Sequence, residues 1–329
     1  MKIFENTRLI SILLFLISFI IYALTINQYV TFTDNGELAA SSILLGISHP
    51  TGYPLFTIFG YLWSLIPLPF SKIVQMNILS ALYVSLSSVT LFFVTHLFLS
   101  NFFYIKVIGE IKKSKKAKNE VEIKHLNLPL IQINVISAIS SLTYFSALTI
   151  WQQANSYEVY SLQLLLFNLF LYFALKIYFN LHSENKKLWY LLAFTWGLML
   201  TNHLIAVWLA PALFWLYFIN KDYKFSIEKH KLPQLAILAL FVLIPLSIYL
   251  YLPIRSAMLP EVNWGWVHRS FDKFLYHLSG KQYQVWMFSD NSVAGKNLGS
   301  FITLLPYQFG FIGIIFMIIG IWKSFKNNI

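Results

Sequence analysis

Residues 9–26, LISILLFLISFIIYALTI, are an unbroken run of apolar and small side chains, long enough to cross a hydrocarbon core of about 30 Å as one helix. Lys2 and Arg8 precede it. The charge order is that of a secretory leader, but the apolar part is too long and no small-x-small cleavage site follows, so an uncleaved first span is expected. Similar runs recur at roughly 73–99, 130–150, 157–180, 188–202, 204–219, 233–252 and 301–322. Residues 54–68 are apolar too, but prolines at 50, 54, 67 and 69 interrupt them. Their length suits a re-entrant or interfacial segment better than a span. The runs 188–202 and 204–219 meet at the polar Thr201, Asn202 and His203.

Composition agrees with this pattern. The chain has 329 residues, of which 57% are hydrophobic and only 11% charged, and its mean hydropathy is +0.63. Soluble domains carry about 25% charged residues, so a water-exposed surface of this size could not be covered. The expected fold class is an all-α polytopic membrane protein of about seven to nine transmembrane helices, one domain over 1–329. With no cysteine, disulfides, thiolate metal sites and cysteine nucleophiles are excluded.

The net charge of +11 is distributed unevenly. With the N-terminus in the cytoplasm, the inward segments 1–8, 100–128, 176–187, 220–231 and 323–329 hold 18 of the 24 basic and 7 of the 13 acidic residues. The outward segments balance at six of each. This is the positive-inside pattern, and it predicts cytoplasmic N- and C-termini in a multi-pass protein of the bacterial cytoplasmic (inner) membrane. Lys112, Lys113, Lys115 and Lys116 then belong to a basic cytoplasmic loop, about 100–128, facing anionic headgroups. No aromatic residues interleave with these lysines, which argues against a nucleic-acid partner.

The chemistry-bearing residues are in the outward loops, about 28–72 and 253–300, and the short segment 151–157. Thr33 or Asp34 can cap a helix from Asn35 to about Ile47, with Asp34 and Glu37 on one side of its first turn. The pair reads either as a cap with its capping box, or as carboxylates placed at the end of a span to take a proton from a hydroxyl. His49-Pro50-Thr51-Gly52-Tyr53-Pro54 is a rigid turn in which residues before proline should be extended. His49 there is either structural or a contact to substrate or phosphate; a metal role with Asp34 and Glu37 matches no ligand spacing. Glu158, after Gln152, Gln153 and Asn155, is either a helix-dipole partner or a pocket residue. His203 sits where two short runs meet, a costly place unless it lines a cavity. Arg255 follows a span and precedes Asn263-Trp264-Gly265-Trp266; it either snorkels to headgroups or clamps a phosphate.

Asp34-Asn35-Gly36-Glu37, the His49–Pro54 turn, Glu158-Val159-Tyr160, Asn202-His203, Tyr251-Leu252-Pro253-Ile254-Arg255 and Asn263-Trp264-Gly265 follow one another in an order that resembles a bacterial membrane family. That family is similar to the animal transmembrane protein O-mannosyltransferase and looks like the GT-C-fold glycosyltransferases. The resemblance runs from about 28 to 285. It implies a GT-C-like bundle with a helical first outer loop, which transfers a sugar from a polyprenyl-phosphate-linked donor to a hydroxyl of a protein or glycan on the non-cytoplasmic face. By the same resemblance Asp34 is the catalytic base and Glu37 its companion. His49, His203 and Arg255 bind the donor and its phosphate. Tyr53, Glu158, Tyr160, Asn202 and Trp264 line the acceptor site or pocket. No divalent metal or other cofactor is expected, and membrane lipid, donor and acceptor are the partners. Two departures stand out. Trp266 occupies the place after Trp-Gly where the family has an acid, and relatives run longer, so acceptor recognition is expected to be reduced or supplied by a partner. A lipid or solute transporter and a non-catalytic scaffold subunit are the alternatives; the first would need ionisable residues in mid-span, whereas nearly all charges lie at span ends and no Asp, Glu, Lys or Arg sits centrally.

Overall fold

The computed structural model describes residues 2–31, 33–115, 128–181, 185–220, 223–227, 232–286 and 292–326. Among them there is no β-strand, and helices follow one another from end to end. Helix α1 (Thr7–Thr25) starts where the Asn6 side chain accepts from the Leu9 amide. It is followed by α2 (Asn35–Ile43) and α3 (Pro54–Ser64), then the long α4 (Lys72–Lys115). Next come α5 (Leu130–Ser146) and α6 (Leu148–Asn155), bent by 64° at the extended Ala147. Helices α7 (Val159–Tyr178) and α8 (Lys186–Asn202) lead into a 3-10 turn, Leu204–Leu209, and α9 (Ala210–Phe218). Helix α10 (Leu232–Leu246) runs through another 3-10 turn into α11 (Tyr251–Ala257). Two further 3-10 segments, Trp264–Arg269 and Lys281–Trp286, flank α12 (Phe271–Leu278), and α13 (Ser292–Lys326) follows, broken at Gly310.

The protein is thus an all-α polytopic membrane protein. Among the described residues five helices are long and apolar enough to span, and six if the bent α5–α6 pair is one span. The expectation of seven to nine counted 188–202 and 204–219 as two more; the structure gives a 17-residue helix there, then a 3-10 turn and a nine-residue helix. Residues 54–68, expected to fall short of a span, contain the 11-residue α3. The basic segment expected as a loop over 100–128 is instead helical to Lys115, so α4 carries Lys112, Lys113 and Lys115 on its last turn; Lys116 lies outside the described residues.

Helix α4 is the centre of the bundle, packing against α1, α5 and α7, while α8 packs between α7 and α10. The main apolar core joins α2, α3, α4, α7 and α8 through Leu38, Phe56, Met76, Leu162 and Met199, all almost fully buried. Polar side chains gather at one end of this core. Fully buried Asn77, on α4, accepts from the Asn35 side chain (3.1 Å) and the Tyr157 amide (2.9 Å) and donates to the Asn27 carbonyl (2.9 Å). Asn35 in turn accepts from the Thr31 amide. One amide on a span therefore fixes the end of α1, the start of α2 and the start of α7. With no water to replace them, these bonds are costly to lose.

Asn77→Leu fills similar space but strands the Asn35 amide and the Tyr157 N–H, each loss costing about 1–3 kcal/mol. The expected outcome is a clearly lower midpoint in detergent thermal melts; an unchanged midpoint would show that Asn77 does not hold this end together.

Candidate active site

Helix α2 begins at Asp34, but the Asp34 side chain makes no cap hydrogen bond and is 53% exposed. Glu37 does not close a capping box either. Its two oxygens accept from one residue, His49: from the backbone amide at 2.7 Å and from ring Nδ1 at 3.0 Å. The structural alternative for the acidic pair therefore fails at both residues. The His49 ring is buried, and its Nε2 lies 3.0 Å from the Tyr53 hydroxyl and 3.7 Å from the Asp34 carboxylate. The Tyr53 hydroxyl also reaches the Pro50 carbonyl at 3.2 Å. Tyr53 was expected to be extended before Pro54, but its φ of 43° and ψ of 51° are left-handed. That conformation turns its ring back over the loop so that the hydroxyl meets His49, strain of the kind that clusters at functional sites.

Helix α2 ends at Ile43, four residues before the expected Ile47, because Leu45 takes a positive φ and the Gly46 amide returns to Ser41 at 2.7 Å. The chain beyond pairs with the other long loop. The Ile47 amide donates to Val262 and its carbonyl accepts from Trp264, an isolated parallel bridge at 2.8 and 3.1 Å. Ser256 bonds both Asn263 and His268 and fixes this turn. Trp264 and Tyr283 then stand edge-on to His49 with ring centres 6.3 and 6.4 Å away.

The third side of the site comes from the α6–α7 connection and the end of α8. Glu158 occupies the N-cap position of α7 without capping it; its carboxylate instead accepts from Thr33 Oγ1 at 3.2 Å. His203 takes the Ile205 amide on Nδ1 (3.1 Å), so its neutral ring carries the proton on Nε2. Its ring stacks on Tyr53 and leans on Tyr160. Asn202 serves the frame, donating to the Val159 carbonyl and Gln163 Oε1.

The structure thus brings together Asp34, Glu37, His49, Tyr53, Glu158, Tyr160, His203 and Trp264. Arg255, expected at a phosphate, is not beside them. Its Nε donates to the Leu45 carbonyl at 2.7 Å and one Nη to Leu44 at 3.2 Å. These are the orphan carbonyls at the far end of α2, roughly 15 Å along the helix from Asp34. Sequence reasoning missed His277, which α12 holds fully buried between Gly52 and Gly265. Its spacing with Phe274 and Leu278 on a short amphipathic helix was the available signal. Gly52, at φ +89°, leaves no room for a Cβ: one would stand 2.8 Å from Leu252 and 3.1 Å from His277 Nε2.

Electrostatics separate the titratable groups. Burial pushes the Glu37 carboxyl up, but the hydrogen bonds and charge of His49 outweigh it and hold the group below its ordinary value. Burial pushes His49 down, and the Glu37 bond with the charges of Glu37, Asp34 and Glu158 more than reverses that. Glu158 rises to about 7, through burial and the charge of Asp34, against the Thr33 hydrogen bond. His203 and His277 are both lowered, by burial and by His49, His277 to about 4. Asp34, Glu37 and His49 each bring one ligand atom within 4.8 Å of the others. However, both ring nitrogens of His49 and both oxygens of Glu37 are already engaged within the cluster, so the donor set suits proton exchange better than a cation.

Beside Tyr160 a cavity of about 510 Å³ opens between α6, α7 and the turn after α8. Its walls are mostly apolar and include Ile150, Leu164, Phe167, Ile205 and Trp208.

Comparison with known proteins places this site in a family. The profile described as the Protein O-mannosyl-transferase TMEM260 N-terminal domain matches residues 34–226, well over half of the chain. The chain is 26% identical over 358 aligned residues to Protein O-mannosyl-transferase tmem260 of Dictyostelium discoideum, covering 99% of this chain and 39% of that protein. It is also 26% identical to Protein O-mannosyl-transferase TMEM260 of Mus musculus, covering 84% of this chain and 34% of that protein. The chain therefore spans little more than a third of the length of these relatives. No solved structure matches it.

Glu158 supplies a test of the electrostatics. A carboxyl raised from 4.5 to about 7 destabilises the fold increasingly as pH climbs through that window, because the buried form must ionise. Glu158→Gln keeps the acceptor for Thr33 and removes the charge. Its thermal midpoint should match the unsubstituted protein near pH 4.5 and exceed it at pH 8; a pH-independent difference would mean Glu158 does not titrate in this window.

Proposed function

Because the chain belongs to the family of the Protein O-mannosyl-transferase TMEM260 N-terminal domain, we propose that it is a membrane-embedded glycosyltransferase of GT-C type. It takes its sugar from a polyprenyl-phosphate-linked donor and passes it to a hydroxyl of a protein or glycan acceptor. The relatives' names point to mannose as the sugar. The observation that carries this reading is Asp34: an exposed carboxylate, released from any capping duty, at the mouth of a buried cluster of proton-exchanging side chains. In that position it removes the acceptor proton while the acceptor oxygen attacks the anomeric carbon from the face opposite the phosphate, with inversion. The anomeric C–O bond breaks and the lipid phosphate departs as a stable anion, so the leaving group needs no acid and the reaction no metal.

The neighbouring groups fit such a donor. Tyr160 lines the apolar cavity and the His203 ring leans on it, toward the side of the cavity that faces Asp34, so we place the phosphate beside the Tyr160 hydroxyl and His203 Nε2–H, with the first isoprene units in the cavity. Arg255 acts at one remove, by holding the end of α2. The balance of charge across the loops supports the non-cytoplasmic side for this face.

The test is transfer in proteoliposomes from a synthetic polyprenyl-phosphate mannose. Asp34→Asn should lose roughly 10²–10⁴-fold in rate while inserting and melting normally, since its carboxylate supports no cap. Normal transfer by Asp34→Asn removes this base, and solute flux without transfer replaces the enzyme reading with a transporter.

A further inference from the structure

We propose that His49 is the proton acceptor behind Asp34, held in register by Glu37, with the Tyr53 hydroxyl as the rotor that accommodates both of its protonation states. The inference rests on the transferase reading above and deepens it. His49 is too enclosed to meet an acceptor itself, while Asp34 is open; the 3.7 Å between the Asp34 carboxylate and Nε2 joins an exposed group to a buried one. Glu37 engages the backbone amide and Nδ1 together, which fixes the ring's rotation and leaves Nε2 as the nitrogen whose proton changes. A carboxylate holding one ring nitrogen while the other handles a proton is the logic of a hydrolytic triad.

The Tyr53 hydroxyl has two partners, Nε2 at 3.0 Å and the Pro50 carbonyl at 3.2 Å. With His49 neutral, the hydroxyl donates to the Nε2 lone pair. With His49 cationic, the hydroxyl turns its hydrogen to Pro50 and presents its oxygen to Nε2–H. Neither state leaves a buried polar atom of the trio unpaired, which is the requirement for a low barrier in a dry site. Burial holds the Tyr53 hydroxyl protonated throughout, so it turns without giving up its own proton.

During transfer the acceptor O–H bond breaks and its proton goes to the Asp34 carboxylate. The acceptor oxygen bonds to the anomeric carbon as the bond to the phosphate oxygen breaks, and that electron pair leaves with the lipid phosphate. Asp34 then passes the proton to His49 Nε2, regaining its charge while Glu37 balances the imidazolium. The groups facing His49 are Glu37 and Asp34 on α2, Tyr53 on its own turn, Glu158 before α7, His203 after α8, His277 on α12 and Tyr283 on the following 3-10 segment. Glu37 and Asp34, joined by Glu158 once it ionises, favour the cation and burial opposes it, with the carboxylates prevailing.

Glu37 is accordingly a positioning residue, and its signature is a pH profile. The rate should fall on the acid side as Nε2 becomes occupied before the reaction. The experiment measures kcat against pH for the unsubstituted protein and for Glu37→Gln in proteoliposomes, with ¹⁵N-histidine NMR in which the His49 signal is assigned by its loss in His49→Gln. In the unsubstituted protein the acid limb should coincide with titration of Nε2, Nδ1 staying protonated. In Glu37→Gln both should move to lower pH by about 1–3 units, with the plateau rate down at least roughly tenfold, a part of what positioned proton transfer supplies. If Glu37→Gln does not fold, the coincidence in the unsubstituted protein decides alone. A limb that stays in place in Glu37→Gln, or an Nε2 that does not titrate between about pH 5 and 8, overturns the relay while sugar transfer stands. An unsubstituted protein that titrates but transfers no sugar overturns the transferase reading itself.

Discussion

Glu37 accepts two hydrogen bonds from a residue twelve positions further along, one from its backbone and one from its ring. That double contact closes the segment between α2 and α3 into a single unit and sets where everything else at this end can go. It fixes His49 and so aims the turn through Pro50, Gly52 and Tyr53 at α11 and α12. The same closure leaves Ile47 free to bridge to Val262 and Trp264, so two loops more than two hundred residues apart in sequence become one surface. Charge-assisted bonds to a carboxylate are about twice as strong as neutral ones, and here they close the segment from Glu37 to His49.

The unit is anchored in the bundle through amides rather than charges. Asn77 and Asn35 place the start of α2 against the start of α7, and Arg255 ties off the other end at Leu44 and Leu45. A neutral amide satisfied on both sides is far cheaper to keep at the edge of a bilayer than a charge, which suits Asp34, Glu37, His49 and Glu158 lying in the connections and short α2 while amides hold the spans.

Most of the bundle was legible in the sequence because hydropathy and loop charge act over whole segments and tolerate local surprises. The spans from 9–26 to 301–322 all correspond to helices, with the greatest disagreement where short runs meet at Asn202 and His203. The site was legible through residues that make no sense at a membrane edge unless employed, above all Asp34, Glu37, His49 and Glu158. The partners of Arg255 were not legible because snorkelling, phosphate binding and bonding to carbonyls at a helix end all ask for the same residue just beyond a span, and only the fold chooses among them. The conformation of Tyr53 escaped because its left-handed backbone is imposed by tertiary contacts to His49 and Pro50 against the preference of a residue before proline. Asn77 escaped because nothing about one amide in an apolar run reveals what it will meet.

Three carboxylates share this small volume, and they differ in how their charge is handled. His49 engages both oxygens of Glu37, so that carboxylate serves geometry and, once His49 is protonated, charge compensation. Glu158 is buried against Asp34 and holds its proton to about neutrality, which removes one negative charge from the place where a donor phosphate would approach. Asp34 alone is both open to solvent and free of a hydrogen-bonding obligation to its own helix. Pushing the ionisation of neighbouring acids apart is how a crowded site assigns separate roles to chemically similar groups. Neither partner could do this alone: without Glu158 protonated the phosphate would meet concentrated negative charge, and without His49 beside Glu37 the helix would begin with two bare carboxylates a single turn apart.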